Sequence, residues 1–81
     1  MPKQALSTLY HWRKLNEFKG WKQARVAEWL QVNRITVHRF ERYRRRPDEE
    51  TRDLMASLPN YPLSADEIRV EFAQNVPKRT R

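Results

Sequence analysis

Arg34, Ile35, His38 and Arg39 form the group of side chains whose types and spacing best fit a chemical task. On a helix turning about 100° per residue, Val37 and Phe40 point one way. Ile35, Arg39 and Arg42 point the other, with His38 on the shoulder and Arg34 at the start. A β-branched aliphatic side chain among guanidiniums does little for solubility, but it suits a DNA major groove. The planar fork of Arg matches the two acceptors on the guanine edge, and Ile can touch a thymine methyl. Lys22, Gln23, Asn33 and Thr36 sit near the starts of this helix and the one before it, where phosphates meet helix N-termini. Arg42, Arg44, Arg45 and Arg46 would follow the backbone beside the groove.

Other chemistry has little to build on. The chain has no Cys, no Gly-rich phosphate loop, no HExxH and no His beside a nucleophile, so an enzyme is not expected. Asp48, Glu49 and Glu50 are consecutive and would point in different directions on a helix. They read as a solvated helix start. No cofactor, metal site or small-molecule effector is implied. His11 has no partner at ligand spacing and reads as a solvated side chain.

At 81 residues the chain is one domain, spanning 1–76 with a basic tail at 77–81 expected to be disordered. Its small core would be marginal alone, which favours pairing of two copies. The N-terminus MPKQALSTLYHW lacks a long apolar run, so neither a signal peptide nor a membrane span is expected. With no Cys, this fits a cytoplasmic protein of a bacterial or phage-infected cell. Charge is divided unevenly. Residues 1–46 carry twelve Lys and Arg against three acids, residues 47–76 two against seven, and the tail three against none. A basic half joined to an acidic one suits a polyanion-binding face with a non-binding remainder.

Five helices should position these residues. The first is expected over 3–18, with Pro2 at its start, Gly20 past its end and a buried row of Leu6, Leu9, Trp12, Leu15 and Phe18. The second should cover 22–30, with Val26, Ala27 and Leu30 inside, Ala24 close by and Trp29 off the stripe. Val32 plugs the turn, and Asn33 should cap the third helix, which runs from Arg34 to Glu41 or Arg42. The fourth follows Pro47 with Leu54, Met55 and Leu58 as its core side, and Pro59 stops it. Ser64 to Glu67 reads as a capping box, with Leu63 and Ile68 as a hydrophobic staple, so a fifth helix is expected over 65–74. The alternation from Ile68 to Phe72 leaves a short strand as the alternative.

The order of residues over 12–68 resembles the phage repressor and Cro family of helix-turn-helix proteins. That family's Gly-Leu-Thr/Ser-Gln opening has its counterpart in Gly20-Trp21-Lys22-Gln23. Its second-helix alanine corresponds to Ala27, its turn residue to Val32, and its third-helix apolar positions to Val37 and Phe40. Its glutamate and following proline are Glu41 and Pro47. The resemblance implies an all-α, lambda-repressor-like bundle with its helix-turn-helix core at 21–47. It implies a transcriptional repressor of phage, prophage or small-operon type that binds near-palindromic double-stranded operators as a homodimer. Arg34, Ile35 and Arg39 fall at the family's base-reading positions, and Gln23 at that of its phosphate-contacting glutamine. The chain departs where Gln31 and Tyr43 replace glycines, which predicts a longer third helix and a different loop. It departs again where Asn16 replaces an arginine, which leaves Glu41 to pair with a nearby base such as Arg13.

Ile68, Val70 and Phe72 in the acidic half are the expected dimer interface, with Trp29 as a further candidate. The competing reading is a non-enzymatic interaction module, antitoxin-like or a basic adaptor, whose basic face docks an acidic protein or RNA. Ile35 alone is too small an apolar payload for membrane insertion, and no aromatic row offers a stacking platform for single-stranded RNA.

Overall fold

The computed structural model describes residues 6–76. Among them are five α-helices and no strand: α1 (Thr8–Asn16), α2 (Gln23–Leu30), α3 (Arg34–Glu41), α4 (Glu49–Ala56) and α5 (Ala65–Asn75), with a 3₁₀ turn at Glu17–Lys19. The expected helix start at Pro2 and Lys3 and the disordered basic tail lie outside the described residues. No helix among those described is long and apolar enough to cross a membrane.

α1 begins later than the sequence suggested because Ser7 caps it, its hydroxyl accepting the Tyr10 N–H. Leu9, Trp12 and Arg13 form its buried side. The expected row of apolar residues holds only in part, since Leu15 and Phe18 are 73% and 82% exposed. Steps of three residues fall about 60° short of a turn, so five such positions wind away from the core.

α2 buries Val26, Ala27 and Leu30 as expected, whereas Ala24 is exposed. Trp21 packs edge-on between Trp12 (5.1 Å between ring centroids) and Trp29 (5.7 Å). Trp29 is a half-exposed edge of the core, its indole N–H donating to the Leu54 carbonyl at 2.8 Å.

The two missing glycines do not lengthen α3. Gln31 and Tyr43 take the left-handed backbone themselves, at φ 59° and 57°. Gln31 closes α2 by donating its N–H to the carbonyls of Ala27 and Glu28. Beyond α3, the Arg44 N–H donates to the Arg39 carbonyl at 2.8 Å, and Tyr43 is held there by a buried ring 5.5 Å from Phe72. Tertiary packing thus supplies at Tyr43 what a glycine would supply through its freedom.

Asp48 is the N-cap of α4, accepting the Thr51 N–H at 2.8 Å, and that bond holds its carboxyl below the usual range. Glu49 and Glu50 follow in the first turn, where the helix dipole favours acids. Met55 and Leu58 are buried, and Leu54 is half-buried. At α5 the capping box forms with both Ser64 and Glu67 bonds present, and Leu63 packs against the core. The strand alternative is therefore overturned. Two start signals outweigh a five-residue alternation, and the helix buries Ile68 and Phe72 one turn apart.

Candidate nucleic-acid interface

α3 is fixed from behind. Val37, Phe40 and Glu41 are its buried residues. Glu41 is 2% exposed and receives the Arg13 guanidinium on both oxygens, Nε on Oε2 and Nη2 on Oε1, the latter at 3.1 Å. The Gln23 amide donates to Glu41 Oε1 at 3.1 Å, and Arg13 Nη1 reaches Glu17 at 3.3 Å. One buried carboxylate therefore joins α1, the first turn of α2 and the end of α3. Arg13 is the alternative partner expected from the loss of an arginine at residue 16. Glu41 raises the Arg13 pKa against the opposing effect of burial.

A second tie holds the far side of α3. The Glu71 Oε2 of α5 accepts the Thr8 N–H at 2.8 Å and the Tyr43 hydroxyl at 2.6 Å. The Ser7 N–H donates to the Glu41 carbonyl at 2.9 Å, so the start of α1 caps the end of α3. Burial, then the bond to Glu71, pushes the Tyr43 phenol well above its ordinary range. Sequence reasoning missed Glu71. Its bonding partners lie 28 and 63 residues away, and helical spacing places it only on the shoulder of the Ile68–Phe72 stripe.

The outward side of α3 carries Arg34, Ile35, His38 and Arg39, all exposed, with Ile35 at 63%. Thr36 and Arg42 are half-buried. Between residues 34 and 46 the chain has six arginines and one acid, Glu41, which is buried against Arg13. Among the described residues, no acid pairs with Arg34, Arg39, Arg44, Arg45 or Arg46. Tyr43 and Pro47 are both buried, so Arg44 to Arg46 form a short exposed bridge between two anchors. Arg45 lines an open groove with Arg34, Asn33 and Thr36.

The expected phosphate-contacting residues are arranged less simply. Lys22 is exposed at the N-cap of α2 and makes no side-chain cap bond, which leaves the first N–H groups of α2 open. Gln23 is engaged with Glu41 and keeps one amide N–H for another acceptor. Asn33 occupies the N-cap position of α3, but its side chain makes no cap bond, contrary to expectation. Its backbone carbonyl accepts from Thr36 and Val37 instead, leaving its side-chain amide at the surface.

The expected interface in the acidic half is corrected as well. Ile68 and Phe72 are 0% and 1% exposed, and Phe72 packs edge-on against Phe40 at 6.2 Å between centroids. They are core residues of one chain and are not available to a partner. Only Val70 of the three is exposed, at 39%.

No family model, curated protein or solved structure matches this chain.

Proposed function

We propose that this protein binds double-stranded DNA sequence-specifically by laying α3 in the major groove, and that it regulates transcription by occupying an operator. The observation that carries the reading is the contrast between the two sides of α3. One side is locked to α1 and α2 through Arg13, Glu41 and Gln23, while the other presents Arg34, Ile35, His38 and Arg39 without acidic partners. Rigid display of a few side chains is what base reading requires, because each bidentate contact discriminates only when held in register. Arg44, Arg45, Arg46, Lys22 and the open start of α2 would hold the flanking phosphates.

Repression, by excluding polymerase, follows from the resemblance to phage repressors, as does a near-palindromic site read by two chains. The eight residues of α3 rise about 12 Å, enough for only three or four base pairs, so a second copy would extend the site. Two-fold pairing would set the two α3 helices about 34 Å apart.

Selection of bound sites from a random duplex library tests the reading. Enrichment of a defined motif supports it, as does a logarithm of affinity that falls with log salt by about 0.9 per phosphate contacted. Recovery of unenriched sequence with no salt dependence would overturn it and leave an acidic protein as the partner.

A further inference from the structure

Tyr43 holds a left-handed backbone, φ 57°, where the chain turns away from the end of α3. A residue with a β-carbon is strained there, and such a conformation persists only where its surroundings fix it. The fixing groups belong to α5. The Tyr43 ring is buried with its centroid 5.5 Å from that of Phe72, and its hydroxyl donates to Glu71 Oε2 at 2.6 Å. The same carboxylate oxygen accepts the Thr8 N–H at 2.8 Å, so it is itself pinned to the start of α1.

The arginine bridge follows directly. The Arg44 N–H donates to the Arg39 carbonyl at 2.8 Å, and Arg44, Arg45 and Arg46 are exposed in succession. The far anchor is Pro47, which is buried and whose carbonyl accepts from Arg52 Nη1 at 3.2 Å. Between the anchors the bridge brings Arg45 to the groove lined by Asn33, Arg34 and Thr36 at the start of α3. Three residues extend over about 11 Å at most, so the direction in which the chain leaves Tyr43 governs where the three guanidiniums stand.

We infer that Glu71 is a positioning residue for phosphate binding: through the Tyr43 hydroxyl it fixes the left-handed exit from α3 and so aims Arg44, Arg45 and Arg46 at the DNA backbone. The inference rests on the DNA-binding reading above. It gives α5, where that reading places no contact, control over grip without control over base choice. Arg13, Glu41 and Gln23 hold α3 through other bonds, so loss of the Glu71 bond leaves Arg34, Ile35, His38 and Arg39 in place.

Three variants test it, each checked for folding by circular dichroism. Tyr43→Phe keeps the ring and removes only the hydroxyl. Glu71→Leu removes the acceptor, whereas Glu71→Gln keeps an amide oxygen able to take both bonds. The last two change the charge equally, so a difference between them comes from the acceptor and not from weaker repulsion of DNA. In free protein, the Arg44 amide of Tyr43→Phe and of Glu71→Leu should exchange about tenfold faster relative to the amides of α2. Both variants should bind preferred and scrambled duplexes about tenfold more weakly, with a salt slope lower by about 0.9 for each phosphate lost. Glu71→Gln should match the wild-type protein in both measurements. If Glu71→Leu does not fold, Tyr43→Phe alone decides. An unchanged relative rate for Arg44 in Tyr43→Phe would overturn the inference while the DNA-binding reading stands. So would a loss confined to the preferred sequence, an unchanged salt slope, or Glu71→Gln behaving as Glu71→Leu does. A wild-type protein that binds no duplex would overturn the reading and the inference together.

Discussion

Arg13 on α1 grips Glu41 at the end of α3 through two hydrogen bonds, with both side chains inside the protein. An ion pair in this position sets geometry more than it adds stability, since desolvation of the two charges offsets most of their attraction. Here the geometry concerns α3, whose end is joined to α1 by this pair and by the Ser7–Glu41 backbone bond.

Removing one partner should therefore cost much more than replacing both. Arg13→Ala leaves a buried carboxylate with only the Gln23 amide, and it should destabilise the fold by about 3–5 kcal/mol. The double variant Arg13→Met with Glu41→Leu should recover most of that loss. Denaturant unfolding of the single and double variants measures the difference. Equal losses in both would mean that the pair contributes through its charge attraction and not through burial.

Arg39→Ala should weaken binding to the preferred duplex by about 1–3 kcal/mol and flatten the preference at one base position. Arg45→Ala should instead weaken preferred and scrambled duplexes alike and lower the salt slope by about one phosphate. Competition titrations on both duplexes separate the two roles. An equal effect of Arg39→Ala on both sequences would make Arg39 a backbone contact.

The outward stripe of α3 was legible because local rules govern it: helical period, two buried apolar positions and a run of arginines. The capping box of α5 was legible for the same reason, since its parts lie within four residues. The errors came where distant packing decides. Leu15 and Phe18 fit a spacing pattern but fall on a side that no other element among the described residues covers. Ile68 and Phe72 suggested an interface because nothing in the sequence shows that Phe40 and Tyr43 already cover Phe72. Glu71 carries two long-range bonds that no local pattern encodes.

The two left-handed residues should respond oppositely to glycine. Gln31 is exposed, and its β-carbon bears the left-handed strain of about 1–2 kcal/mol, against an entropic cost of about 0.5–1 kcal/mol for glycine. Gln31→Gly should thus stabilise the protein by up to about 1.5 kcal/mol. Tyr43→Gly relieves the same strain but removes a buried ring and its bond to Glu71, so it should cost about 3–5 kcal/mol. Thermal unfolding of both variants gives the signs, and destabilisation by Gln31→Gly would mean that its side chain contributes more than the strain it causes.

Alkaline pH should unfold the protein through Tyr43 and through Tyr61, which lies between α4 and α5 with its ring centroid 6.0 Å from that of Trp12. Burial is the main cause that pushes both phenols up from their ordinary value of 10.0, and the nearby Glu71 carboxylate adds to it in each case. A group whose native pKa is raised binds its proton more tightly in the folded chain than in the unfolded one. Its contribution is therefore complete below about pH 10 and is lost as pH rises beyond that, where unfolded phenols ionise and native ones do not. Tyrosinate absorbance from these two residues should appear together with loss of the helical signal, not before it. Tyr43→Phe cannot ionise at that position, so it should reduce the steepness of the alkaline decline, although the lost Glu71 bond lowers stability at neutral pH. Complete tyrosine ionisation near pH 10 with the helices intact would show that water reaches both hydroxyls, and that the tie between α5 and the end of α3 is open in solution.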